Sequence, residues 1–235
     1  MSTETHRIGT REEWNEARRA LLREEKQLTH LRDQVAARRR TLPWVPVARA
    51  YTFQTPDGPR SLDALFGPHT QLLIYHLMFA PEWDAACKSC SFWAENFDRH
   101  LVHLAHRNVR LVAVSRAPLP KLTAYAARMG WHFPWFSSEG DTFNHDFAVS
   151  FSEPERASGA ALYNFGTQAP DSSDLPGFSV FARDARGEVF HTYSTYGRGI
   201  EAMNAGYAFL DLLPKGRDEH GRGMAWLRRR DEYER

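Results

Sequence analysis

Between Thr10 and about Arg40 polar and charged positions dominate, no Gly or Pro interrupts them, and a single narrow apolar line runs through. Trp14, Leu21, Leu28 and Val35 recur every seven residues, with Ala17 and Leu31 on the neighbouring line. Glu, Arg, Ala and Leu are strong helix formers, so this pattern predicts one long helix with one apolar stripe. Thr10 followed by Glu13 is the capping-box pair that starts it. Such a stripe either docks on a neighbouring domain or pairs with a second copy. Three heptads are marginal for an autonomous coiled coil, which favours docking; a homodimer through this helix is the other reading. Leu42-Pro43-Trp44 and Val45-Pro46 end the helix, because proline disfavours helix in the residue before it.

Beyond that boundary the pattern alternates. Tyr51 to Gln54 reads as a short strand, Pro56-Asp57-Gly58 as a turn and Ser61 to Phe66 as a brief serine-capped helix. Gln71 to Phe79 is almost continuously apolar, the mark of a strand covered on both faces. A helix is predicted from Cys87 or Lys88 to about His106, a second buried strand over Val109 to Ser115, a helix over Pro118 to Met129 ended by Gly130, and a third strand over Phe133 to Ser137. Phe151 to Pro176 is polar and rich in Gly, Ser and Pro, a long loop that is a candidate cover for a site. Phe178 to Ala182 and Glu188 to Tyr193 form a hairpin about Asp184-Ala185-Arg186-Gly187, and Gly199 to Leu213 a closing helix. Single helices between strands imply right-handed crossovers and a largely parallel centre. The order describes an α/β chain of thioredoxin-like fold, a central mixed sheet flanked by helices, with an N-terminal helical arm. Residues 1–48 are the arm and its Pro-rich linker, 49–214 the thioredoxin-like domain, and 215–235 a charged C-terminal tail.

Charge narrows the partners. Lys and Arg total 30 against 29 for Asp and Glu, which gives no electrostatic reason to expect nucleic acid or an anionic membrane. Arg228–Arg230 is followed at once by Asp231, Glu232 and Glu234, so the tail reads as solvated and self-paired. The N-terminal stretch MSTETHRIGTREEW has no apolar core and is not expected to be a signal peptide; no apolar run is long enough to span a bilayer. The expected address is the cytoplasm.

The only two cysteines, Cys87 and Cys90, stand as C-x-x-C. A staple closing so small a loop restricts the unfolded chain little, so the pair reads as chemistry before architecture. It follows a buried strand and opens a helix, where the first amide N–H groups and the helix dipole favour a thiolate at Cys87; Lys88 adds positive charge in the same sense. A thiolate there attacks disulfides, and Cys90, one turn on, displaces the partner by closing the intramolecular disulfide. The plainer alternative is two small hydrophobes at a helix start. Trp83, in the loop before the pair, is a candidate landing surface for substrate. Asp84 is either a proton acceptor for Cys90 or a helix-flanking acid. A copper or zinc site is the alternative from another class: Cys87, Cys90, His100 and His103 mimic a ligand list, yet on one helix the histidines lie roughly 15–20 Å away. Only a remote His76, His145 or His191 could join the cysteines. No cofactor is called for.

The stretch from LLIYHLMFAPEWDAACKSCSFW through GWHFPWFSS, with FNHDFAVSF, GFSVFARDARGEVFHTYSTYGRG and LDLLPKGRDE, resembles a bacterial domain-of-unknown-function family of thioredoxin-like proteins described as predicted dithiol–disulfide oxidoreductases. The resemblance covers nearly the whole chain and implies that Cys87 and Cys90 are a redox pair. The expected partners are a disulfide-containing protein or a small thiol/disulfide substrate and an unknown electron donor. FPWFSSEGDTFNHDFAV and CSFWAENF are more distantly similar to peroxiredoxins, which makes a thiol peroxidase the alternative. Peroxiredoxins place Thr or Ser three residues before the reactive cysteine, where this chain has Asp84, and an arginine before the strand near Phe178, where it reads Leu175-Pro176-Gly177. Thioredoxins carry a cis-proline just before the equivalent strand, facing the cysteines and helping to bind the partner; Pro176 holds that place.

Overall fold

The computed structural model describes residues 6–234; the first five residues of the N-terminal stretch discussed above lie outside the described residues. The chain divides into two compact units, Met1–Pro43 and Trp44–Arg235. In the first, helix α1 spans Arg11–Arg39. Both halves of the capping box form: the Thr10 hydroxyl accepts from the Glu13 N–H at 3.2 Å, and the Glu13 carboxylate accepts from the Thr10 N–H at 2.7 Å. Glu12 and Glu13 in the first turn and Arg38 and Arg39 in the last complement the helix dipole. Trp14, Leu21, Leu28, Leu31 and Val35 are exposed along it.

The second unit is built on one sheet. Its strands are β1 (Val45–Pro46), β2 (Thr52–Thr55), β3 (Gly58–Ser61), β4 (Gln71–His76), β5 (Val109–Ser115), β6 (Trp135–Ser137), β7 (Gly177–Arg183) and β8 (Val189–Tyr196). They lie in the order β1-β8-β7-β4-β5-β6-β2-β3. β4, β5 and β6 run parallel, while β7 and β8 form an antiparallel hairpin against β4. Thus β4 sits inside the sheet, as its unbroken apolar run requires. Its alternate side chains feed two cores: Leu72 and Ile74 face one, Leu73 and Tyr75 the other. The parallel centre, crossover helices and terminal hairpin make this a thioredoxin-like α/β fold.

The helices are α2 (Lys88–Ala94), α3 (Phe97–Ala105), α4 (Leu119–Met129), α5 (Phe143–Asp146), α6 (Glu153–Ser158) and α7 (Ala205–Leu210). Gly130 ends α4 in the left-handed conformation. Among the described residues no helix is long and apolar enough to cross a membrane.

Several segments differ from the sequence reading. The helix expected from Cys87 to His106 is two helices, α2 ending at Ala94 and α3 starting at Phe97, with the turn residues Glu95 and Asn96 between them. The closing helix is likewise divided at Asn204, whose carboxamide caps α7 by accepting from the Tyr207 N–H. Val45 and Pro46, read as linker, form an edge strand on β8, where a proline's missing N–H costs nothing. Residues 151–176 carry α6 and a small core of their own, in which Phe151, Ala161 and Tyr163 pack with Val149 and Tyr196. Asp174 fastens the end of that segment, accepting from the Ser150 hydroxyl and from Arg116 Nε at 2.8 Å.

Candidate active site

The two cysteines sit where the chain leaves β4 and enters α2. Strand-like bonding continues past His76: the Leu77 N–H donates to Val114 O, and Phe79 O accepts from the Ala117 N–H. The loop then turns back, and the Cys87 N–H donates to Met78 O at 3.0 Å. Lys121 Nζ braces that loop by donating to Pro81 O and Trp83 O at 2.7 and 3.0 Å. Cys87 is therefore pinned at the N-cap position of α2, half-buried, and Cys90 lies one turn on, fully buried in the core.

This placement splits the two thiols electrostatically. Hydrogen bonding from the Cys90 thiol lowers the pKa of Cys87, and the amides of Cys90 and Ser89 and the Ser89 hydroxyl add to it against the opposing effect of burial. Burial raises the pKa of Cys90, reinforced by the neighbouring Cys87. Beneath the pair lies Tyr75, wholly buried, whose hydroxyl makes no complete hydrogen bond and faces the Cys90 sulfur. Lys88 contributes less than expected: its ammonium is turned to Ala225 O at 3.4 Å.

A cavity of about 440 Å³ opens against Cys90, with Cys87 next to its wall but not lining it. Cys90, Tyr75, Met78 and Trp93 form its inner wall, and Pro176 with Gln168 one side. Arg198, Ile200 and Glu201 stand on another, and Arg217, Glu219 and Met224 of the C-terminal segment complete it.

That segment is exposed along much of its length and self-paired through Arg229 and Glu232 at 2.9 Å, as the charge pattern suggested, but it is also tied to the rest of the unit. The Arg229 guanidinium donates to Ala86 O at 2.9 Å and to the Tyr125 hydroxyl at 3.0 Å. Tyr125 in turn meets the Ser91 hydroxyl, which donates to Cys87 O. Arg230 donates to Met129 O at 2.7 Å, and Arg128 pairs with Asp231 and Glu232. The acids after Arg228–Arg230 do pair with arginine, but they share it with α4, and carbonyls at the start of α2 and the end of α4 take the rest.

Of the residues singled out in the sequence, Cys90 and Pro176 share the cavity wall with Cys87 beside them. Trp83 is half-buried against the core and Asp84 is exposed; neither lines the cavity. Pro176 is trans, since the described residues contain no cis peptide bond, and its carbonyl accepts from the Tyr163 hydroxyl. The candidate metal histidines are not brought to the cysteines. His76 Nε2 bonds Ser179 on the opposite face of the sheet, His145 bonds Glu155, and His191 bonds Ser194. Among the described residues no three His, Cys, Asp or Glu side chains are grouped to hold a metal ion. Sequence reasoning missed Tyr75, Ser91, Tyr125 and Arg229. Tyr75 and Ser91 carried a usable signal, being polar groups within otherwise apolar stretches; Arg229 carried only its place in a basic triplet.

No functionally curated protein matches the chain. Among solved structures, the peroxidoxin BcpB of Mycobacterium tuberculosis is similar at 15% identity and TM-score 0.45, covering 70% of this chain and 94% of that one. A PrxQ mutant of Xylella fastidiosa is similar at 15% identity and TM-score 0.42 (68% and 89% covered), and the mitochondrial 2-Cys peroxiredoxin of Plasmodium falciparum at 13% and 0.42 (72% and 93%). A family model described as a bacterial protein of unknown function, DUF899, matches residues 3–233, and the chain belongs to that family.

Proposed function

We propose that this protein is a dithiol–disulfide oxidoreductase in which Cys87 is the nucleophile and Cys90 the resolving thiol. The supporting observation is the opposite displacement of two neighbouring thiols at the start of one helix: Cys87 toward the thiolate, Cys90 toward the thiol. The Cys87 thiolate attacks one sulfur of a disulfide R–S–S–R, forming a Cys87–S–S–R bond and releasing one R–S⁻. Cys90 gives its proton to the released thiolate and attacks the Cys87 sulfur, closing Cys87–S–S–Cys90 and releasing the second R–S⁻. Two electrons pass from the protein to the substrate, and an external dithiol reductant returns them. Chemistry of this kind suits a reducing compartment such as the cytoplasm.

Alkylation with iodoacetamide, followed by mass spectrometry across a pH series, tests the assignment. Cys87 is expected to react first and to stay reactive well below the ordinary thiol pKa of about 8.5. Cys87→Ser is expected to abolish disulfide exchange, and Cys90→Ser to trap the mixed disulfide. Prior alkylation of Cys90 would reverse the roles. Hydrogen peroxide, followed by stopped flow, is expected to react only at the rate of a simple low-pKa thiol; a far higher rate would favour a thiol peroxidase.

A further inference from the structure

We infer that the cavity beside Cys90 binds a low-molecular-weight disulfide bearing α-amino acid ends, with ammonium and carboxylate groups together; this rests on the dithiol reading above. The volume of about 440 Å³ lies in the range of small-molecule sites. Its floor carries a polar group that is poorly satisfied, because Tyr75 is fully buried and its hydroxyl faces the Cys90 sulfur without completing a hydrogen bond to it. A sulfur or polar atom of a ligand seated against Cys90 would give that donor an acceptor.

The middle of the cavity is apolar, with Met78, Trp93, Ile200 and Met224 suited to methylene groups. The rim carries both signs of charge in one cluster. Arg198 Nε and Arg217 Nη1 lie 3.1 and 3.3 Å from the Glu201 carboxylate, and Glu219 accepts from the Tyr207 hydroxyl at 2.6 Å. The Arg198 side chain is 85% exposed, so exchanging its Glu201 pairing for a ligand carboxylate, while Glu201 receives an ammonium, uncovers little buried surface. A ligand of one sign only would meet one repulsive partner at this rim. A protein substrate is disfavoured by the covering segment, which Arg229 holds to Ala86 O and Lys88 holds at Ala225 O.

The test compares disulfides as oxidants of the reduced protein: glutathione disulfide, bis(2-hydroxyethyl) disulfide, 3,3′-dithiodipropionate and insulin. Glutathione disulfide is expected to show saturation and a kcat/KM about tenfold or more above the neutral and dianionic compounds, after correction for leaving-thiol pKa. In Arg198→Ala the ratio of glutathione disulfide to hydroxyethyl disulfide is expected to fall about three- to fivefold through KM. Insulin disulfides reacting as fast as glutathione disulfide, or a ratio unmoved by Arg198→Ala, would overturn the proposal while leaving the dithiol reading intact. Calorimetric titration of the Cys87→Ser/Cys90→Ser protein with glutathione disulfide decides the cavity separately. Saturable binding weakened by Arg198→Glu supports the site even if no disulfide is reduced, and absence of binding removes it.

Discussion

Tyr75 and His76 are adjacent on β4, point to opposite faces of the sheet, and both are buried. Tyr75 looks toward Cys90. His76 lies over Phe143 and heads a polar chain in which its Nε2 meets the Ser179 hydroxyl, Ser179 meets Ser194, and Ser194 meets His191. Burial, with a smaller contribution from His191, lowers the His76 pKa to about 3, against an ordinary 6.5. The unfolded chain therefore takes up the proton first as pH falls. Stability from this group is complete above pH 6.5 and declines from there toward pH 3. Between pH 7 and pH 4.5 the loss from His76 is expected to be about 2–3 kcal/mol. Urea unfolding at the two pH values measures it, and His76→Gln, which keeps a partner for Ser179, is expected to flatten the slope. An unchanged slope would show that acid sensitivity arises elsewhere.

Among the strands, β7 is tightly constrained at its first residue. Gly177 lies opposite Tyr196, and a Cβ there would come within 2.6 Å of the Tyr196 ring and 3.2 Å of Val149. Tyr196 cannot easily yield, because it is buried and its hydroxyl donates to Phe147 O. Gly177→Ala is expected to cost about 1–3 kcal/mol in chemical denaturation. Because Pro176 precedes it on the cavity wall, the same variant is expected to change cavity binding; a neutral effect on both would mean that Tyr196 moves aside. The elements were legible where local signals agree with the fold. Thr10 and Glu13 announced α1, the apolar run announced β4 and β5, and Gly130 announced the end of α4. The breaks at Asn96 and Asn204 were not legible, since neither asparagine differs locally from one tolerated inside a helix. Burial of Trp93 and Phe97 on one side and Ile200 and Tyr207 on the other accompanies those breaks, and such packing is tertiary.

At the scale of the molecule, the cysteine pair and its helix were visible in the sequence, but the enclosure around them was not. A C-x-x-C after a buried strand carries its own local chemistry. The cavity walls come from segments far apart along the chain, and no periodicity links Arg229 to Ala86. Removing residues 215–235, the tail of the sequence reading, is expected to open the site. Cys90 should become accessible to alkylation, and the melting midpoint should fall by about 5–10 °C. An unaltered Cys90 reactivity would mean that the core alone covers it. The clamp also has a consequence in time. Arg229 and Ala86 are 143 positions apart, and chains emerge at about 5–20 residues per second, so the start of α2 waits roughly 7–30 s in synthesis for the arginine that ties the C-terminal segment to it. During that interval a nascent chain presents its two thiols without the part of the cavity wall that Arg217, Glu219 and Met224 supply. On the proposed reading, any selectivity of the site is thus acquired late, and the ribosome-bound chain is the form most open to stray oxidation.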